Sequence, residues 1–372
     1  MRQDPTTKEW VIIARDRAQR PHELVRKHNG TSLPEYSPTC PFCSGNEHMT
    51  PPEILSYKDP GTGCWRVRVF ANKYPALSPV GSTTRREEEG FFRSMDGVGM
   101  HEIIVETPLH DERLARMDVR DIEHVLQAYR ERYNALSAVD FVRAIVIFKN
   151  HGPSAGTSLM HSHSQLVATP VIPKMMRIRQ NVAADYFDSI GRCLYHDLIE
   201  HERELGTRIL RETERFVVFH PFASKQPFET WIVPKSRQAS FGSVTDRDLT
   251  QLAGLLQMTL GALDKGLNNP DYNYIIHSAP TGEEDMKYFL WHLRIIPRVA
   301  TMAGFEMGSG IRINPVIPED TAQFIRGLSE TLRTESIKAR EHISKVQSYR
   351  TVKARFGWNW SGIDPTFVMK GG

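Results

Sequence analysis

The chain of 372 residues is 40% hydrophobic and 24% charged, with a formal charge of +3, a length that predicts about two domains and a balance that excludes nucleic acid or an anionic membrane as the main partner. Apolar runs such as Ala144–Phe148 are too short to cross a bilayer, and Met1-Arg2-Gln3-Asp4-Pro5 lacks the apolar stretch of a signal peptide. Four cysteines are too few for a disulfide scaffold, so a reducing, cytoplasmic compartment is expected.

In chain order, the stretch up to about Gly63 is rich in Pro, Gly and charge. Trp10–Ala14 reads as a short strand, Arg17, Arg20, Pro21 and His22 as an exposed loop, and Cys40-Pro41-Phe42-Cys43 as a tight turn. Trp65–Ala71 alternates basic and apolar residues, as a half-buried strand does, and His101–Glu106 is a second strand. Ile122, Val125, Leu126, Tyr129, Tyr133 and Leu136 recur at helical spacing over Asp121–Leu136. Phe141–Phe148 is a β-branched strand, Asn150–Ser158 a polar loop and Met160–Ala168 another strand. The order then returns: strands at Phe216–Phe219 and Phe228–Val233, a Leu-rich helix over Asp246–Gly266, and strands at Tyr272–His277 and Leu290–Ile296. A repeat of this size predicts a duplicated α+β domain, divided here into residues 1–180 and 181–372. The basic tail Lys338–Lys353 reads as a solvated helix face.

The densest chemistry is in Gly156-Thr157-Ser158-Leu159-Met160-His161-Ser162-His163-Ser164-Gln165. On a strand, His161, His163 and Gln165 project to one face and Ser162 and Ser164 to the other. Two imidazoles and an amide after a Gly-rich loop suit phosphoryl chemistry. Loop N–H groups can cradle phosphate oxygens, neutral imidazole can attack phosphorus, and Gln165 can donate to the charge that develops. Cys40 and Cys43 are half of a tetrahedral zinc site. A redox pair would stand at a helix start, whereas this pair sits in a Pro-rich turn, which favours metal. The remaining ligands are expected among His48, His101, His110 and His161.

Gly156-x-Ser158-x-x-His161-x-His163-x-Gln165 resembles the active-site motif of the galactose-1-phosphate uridylyltransferase branch of the histidine-triad superfamily. The N-terminal segment with Arg17 and Arg20, the Cys40–Glu47 stretch, Phe70-Ala71-Asn72-Lys73-Tyr74-Pro75 and Gly304-Phe305-Glu306-Met307 are similar to the same family. The resemblance implies an α+β fold of two tandem histidine-triad-like domains, each an antiparallel sheet with a long helix. It implies a two-step nucleotidyl transfer, with His163 as nucleophile and Gln165 on the phosphoryl oxygens. Arg17, Arg20, Asn72, Asn150, Gly156, Ser158, Phe305 and Glu306 would then bind substrate. It further implies zinc on Cys40, Cys43, His110 and His161, with His101 as the substitute for His110, and a homodimer in which Arg17 and Arg20 reach the partner's nucleotide. The partners would be a nucleoside-diphosphate sugar and either a sugar 1-phosphate or phosphate. The expected activity is of the UDP-glucose:galactose-1-phosphate uridylyltransferase type. Ser162 and Ser164, where that motif carries Pro and Gly, resemble instead the ADP-glucose phosphorylase branch, so passing AMP from an ADP-sugar to phosphate is the alternative. Some members hold a second metal through one Glu and three His. His277 and His292 match two of these, but Arg294 replaces a third, so that site is expected to be empty.

Overall fold

The computed structural model describes residues 1–14 and 33–328; Arg17, Arg20 and the basic stretch 338–353 lie outside the described residues. In chain order the strands are β1 (Arg2–Gln3), β2 (Trp10–Ile13), β3 (Glu53–Lys58), β4 (Trp65–Ala71), β5 (Arg86–Glu88), β6 (Phe92–Ser94), β7 (Met100–Val105), β8 (Ala144–His151), β9 (His163–Thr169), β10 (Ile209–Glu212), β11 (Phe216–Phe219), β12 (Thr230–Pro234), β13 (Tyr272–His277), β14 (His292–Pro297) and β15 (Arg312–Asn314). The helices are α1 (Val119–Ser137), α2 (Lys174–Ile190), α3 (Leu194–Leu205), α4 (Asp246–Leu267) and α5 (Gly304–Ser309), followed by a helical turn region from 318 to 328.

Ten strands form one sheet in the order β10-β11-β12-β14-β13-β8-β9-β7-β4-β3, and each neighbouring pair is antiparallel. This is α+β architecture with a duplication legible in the topology. Numbered within its own segment, each set of five strands runs first, second, third, fifth, fourth from the sheet's edge inward. The two sets meet where β8 pairs with β13, from His151 opposite Tyr272 to Ile147 opposite Ile276.

The two long helices occupy the same place in each set, between the third and fourth strands. Asp118 caps α1 by accepting from the Arg120 N–H, and Thr245 and Asp248 form a reciprocal capping box at the start of α4. Ile122, Val125, Leu126, Tyr129 and Tyr133 bury one face of α1. Twelve buried residues, mostly Leu and Ala, do the same for α4. Removing each large apolar side chain from water stabilises by about 1.5–3 kcal/mol. The two helices pack on each other, with Thr250 donating to Glu123 at 3.0 Å.

The strand expected at Trp65–Ala71 has its predicted bounds but is almost wholly buried rather than half-buried. Arg68, 4% exposed, is accommodated by Glu53 at 3.3 Å on the neighbouring strand and by the face of Phe70. No helix among the described residues is long and apolar enough to cross a membrane.

Candidate active site

The loop joining β8 to β9 is shaped by two glycines with positive φ. Gly152 has φ +83°, and a Cβ there would lie 1.8 Å from Oδ1 of Asp271. Gly156, at φ +88°, ends the single 3-10 turn Pro153–Ala155. Asp271 and Asn273, beside and on β13, hold the loop across the seam. The Ser154 N–H donates to Asp271 Oδ2 at 2.7 Å. Asn273 Nδ2 donates to Ala155 O and to Asn150 Oδ1, both at 2.8 Å. Asn150 belongs to β8 and not to the loop, because strand pairing continues to His151. The expected backbone cradle is narrower than the sequence suggested. The N–H groups of Ser154, Ala155, Gly156 and Thr157 are taken by Asp271 Oδ2, Gly152 O, Pro153 O and Gly152 O.

His163 opens β9 and is 5% exposed. Its Nδ1 lies 2.8 Å from the carbonyl of His161. A carbonyl only accepts, so Nδ1 carries the proton and Nε2 keeps its lone pair. Burial, reinforced by the charge of Lys149, holds His163 below the ordinary histidine range, so the ring is neutral near pH 7. Phe42 meets it edge-on, with ring centroids 5.2 Å apart.

Gln165 is aimed by His101, which sequence reading treated only as a spare metal ligand. The Ala76 N–H donates to His101 Nδ1 at 3.1 Å, so the proton resides on Nε2, which donates to Gln165 Oε1 at 2.7 Å. The amide N–H groups of Gln165 are thereby left to donate. Asn72 lies alongside, with Nδ2 3.2 Å from His101 Nε2 and Oδ1 accepting from the Tyr74 N–H.

Beneath the strand, Ser162 and Ser164 turn into a buried polar cluster that sequence reading missed. Glu106 accepts from Lys149 Nζ at 2.5 Å, from Ser162 at 2.6 Å, from Ser164, and from Tyr129 at 3.2 Å. Lys149 also donates to Ser162 Oγ at 3.0 Å and to the His163 carbonyl at 3.1 Å. Burial alone would raise the Glu106 pKa, but Lys149 and the two serines outweigh it and hold the carboxyl below its usual range. Nothing in the local sequence signals this cluster, since its members come from separate strands and from α1.

On the other side, the thiols of Cys40 and Cys43 and the Nδ1 atoms of His110 and His161 all lie within 4.8 Å of one another, a group that could hold a metal ion. Cys43 Sγ is 3.4 Å from His110 Nδ1 and 3.6 Å from His161 Nδ1, and Cys40 Sγ is 3.7 Å from His161 Nδ1. Adjacent S and N ligands around a tetrahedral ion with ordinary bond lengths are about 3.5 Å apart. His161 Nε2 donates to Thr107 O at 2.7 Å, which frees Nδ1 as a ligand. Burial pushes Cys40 up to about 11 and His161 down to about 4. The pocket thus disfavours a bare thiolate and keeps the imidazole neutral. His161 precedes β9, and its Nδ1 turns to the thiols. His48 and His101 are not in the group.

Phe305 is half-exposed on α5, and both carboxylate oxygens of Glu306 are used locally, accepting from the N–H groups of Ala303 and Ile313.

Residues 1–173 match the N-terminal domain, and residues 179–335 the C-terminal domain, of galactose-1-phosphate uridyl transferase. The chain is 38% identical over 334 residues to ADP-glucose phosphorylase of Arabidopsis thaliana, covering 89% of this chain and 93% of that one. It is 29% identical over 335 residues to galactose-1-phosphate uridylyltransferase of Thermotoga maritima, covering 88% and 97%. A crystal structure of an ADP-glucose phosphorylase from Arabidopsis thaliana with bound ADP-glucose is similar with a TM-score of 0.73 at 35% identity, covering 87% of this chain and 97% of that one.

Proposed function

Because the chain belongs to the galactose-1-phosphate uridylyltransferase family, we propose that it transfers a nucleoside monophosphate from a nucleoside-diphosphate hexose through a covalent intermediate on His163. The observation that carries this reading is the Nδ1–H bond from His163 to the His161 carbonyl, which leaves Nε2 unprotonated and directional. In the first step Nε2 forms a bond to the α-phosphorus as the bond to the bridging oxygen breaks, and hexose 1-phosphate departs with that electron pair. The positive charge on the ring is stabilised through Nδ1–H by the carbonyl. Gln165, oriented by His101, donates to the phosphoryl oxygens in both transition states. In the second step an oxygen of the acceptor attacks phosphorus and the N–P bond breaks, restoring neutral His163.

Asn72, Asn150, Gly156 and Ser158 surround this position in the proposal, with Phe305 and Glu306 on α5 and Arg17 and Arg20 of a homodimer partner completing substrate binding. Residues 1–180 carry the chemistry and residues 181–372 the supporting half, in the cytoplasm. Cys40, Cys43, His110 and His161 suit zinc by donor set and spacing. Zinc bound there supplies structural cross-linking of the segment whose His161 carbonyl orients His163.

Two acceptors fit. Transfer of AMP from an ADP-hexose to phosphate is supported by the 38% identity to the Arabidopsis enzyme and by Ser162 and Ser164. Transfer of UMP from UDP-glucose to galactose 1-phosphate is supported by the Thermotoga relative. Intact mass of the metal-loaded protein, kept from acid after incubation with ADP-glucose or UDP-glucose and no acceptor, tests the proposal. An AMP or a UMP adduct, absent in His163→Ala, identifies the branch, and discharge by phosphate or by galactose 1-phosphate identifies the acceptor. Absence of both adducts from folded, loaded protein overturns covalent catalysis on these donors.

A further inference from the structure

His292 opens β14 as His163 opens β9, at the same place in the strand order. The likeness extends to the ring, since His292 Nδ1 lies 3.2 Å from the carbonyl of Leu290, two residues back. The surroundings differ. His292 is fully buried, stacked on Trp231 at 4.6 Å and on His277 at 4.8 Å, with Tyr195 of α3 at 5.4 Å. Among the described residues, four polar atoms in this neighbourhood are buried without a hydrogen-bond partner: His292 Nε2, His277 Nε2, Tyr195 Oη and Arg179 Nε.

Arg179, on α2, is the most demanding of them. It is 3% exposed and stays charged at any physiological pH. The carboxylates nearby are engaged with other donors. Glu229 accepts from Arg294 at 2.7 Å, from Trp231 Nε1 at 2.9 Å and from the Lys225 N–H at 2.7 Å. Asp4 accepts from Thr6 and faces Lys225 at 3.9 Å. A buried guanidinium N–H without an acceptor, as at Arg179 Nε, is destabilising, so a site of this kind calls for a ligand that accepts.

The tautomer of His292 narrows the ligand. Its proton is spent on the Leu290 carbonyl, so Nε2 offers a lone pair and needs a donor. We propose that Arg179, Tyr195, His277 and His292 hold a small oxyanion that itself carries a proton, of the hydrogen phosphate or bicarbonate class. Its oxygens accept from Arg179 and Tyr195, and its hydroxyl donates to His292 Nε2. A metal cation is disfavoured because Arg179 and Arg294 both face the two imidazoles and repel it. Halide and sulfate satisfy Arg179 but bring no proton to His292. The proposal is independent of the nucleotide handled at His163.

Crystals of the full-length, metal-loaded protein soaked in parallel with phosphate, bicarbonate and sulfate test it. Tetrahedral or trigonal density within hydrogen-bond distance of Arg179 and His292, from phosphate or bicarbonate respectively, is expected and separates the two sources. Only water or a metal ion there, or sulfate bound at Arg179 where neither phosphate nor bicarbonate binds, overturns it. In solution the supporting anion should raise the melting midpoint of the unaltered chain and of Gln165→Ala, whose change lies at the other site, and should not raise that of Arg179→Gln. Without any bound anion, Arg179→Met should melt higher than the parent, because a buried donor without an acceptor has gone; with the anion present that order reverses. An anion-dependent rise that persists unchanged in Arg179→Gln also overturns the site.

Discussion

One carbonyl fixes the tautomer of His163 and one imidazole orients Gln165, so the two devices can be perturbed separately. His101→Leu removes the donor to Gln165 Oε1 but leaves His163 and the metal group untouched. It should lower kcat about 10²-fold, as misorientation of a transition-state donor does, with KM changed far less. Steady-state kinetics on the identified donor will show the split; an equal change in both constants would mean that His101 acts on substrate binding. Glu106→Gln leaves Lys149 buried beside a neutral amide and should destabilise the fold by about 3–5 kcal/mol. Glu106→Leu with Lys149→Met removes both charges and should cost less than the two single changes added together. Urea unfolding of the four proteins measures this coupling, and strict additivity would show that the pair does not act as a unit.

At the scale of elements, the β8–β9 loop depends on a residue from the other half. Gly152→Ala sets a methyl group against Asp271 at a backbone angle that L-residues avoid, and should lower both stability and the rate of nucleotidylation. Adding Asp271→Ala relieves the collision but not the backbone strain, so recovery should be partial. Adduct formation followed by mass will report it; full recovery would rule out the strain. This dependence also explains what the sequence could reveal. α1, α4, β11 and β13 were legible because each keeps an unbroken apolar stripe or run, and β11 and β13 have their predicted bounds. α2 escaped notice because only Arg179, Gln180 and Ala183 are buried on it, which leaves no apolar period to detect. β3 escaped because it is an edge strand whose residues are exposed or half-buried. The site divides in the same way. His161, His163 and Gln165 are close in sequence, whereas His101, Glu106, Lys149 and Asp271 are brought in by strand register, which no local pattern records.

For the molecule as a whole, buried histidines set the response to acid. Burial holds His151 down at about 4 and His220 at about 3. Their folded values lie below the unfolded value of about 6.5, so in acid the unfolded chain binds protons first. Their contribution to stability is complete above about pH 6.5 and is lost as the pH falls toward the folded values, at about 1.4 kcal/mol per pH unit for each histidine. The contribution of Glu106, also depressed, is lost only below about pH 4.3. Urea midpoints measured from pH 8 to 5 should hold level to about pH 6.5 and fall below it, and His220→Gln should flatten the lower slope by about one proton. An unchanged slope would place the acid sensitivity elsewhere.

The seam between β8 and β13 has a consequence for inheritance. Two copies of one strand order lie side by side, and the proposed nucleophile stands in the first. The second has not thereby become free to drift, because its Asp271 and Asn273 clasp the loop that precedes that imidazole. A second unit that grips the loop of the first cannot be removed without loosening that loop. A side chain at position 152 meets Asp271 of the other half, so each half limits what the other can become.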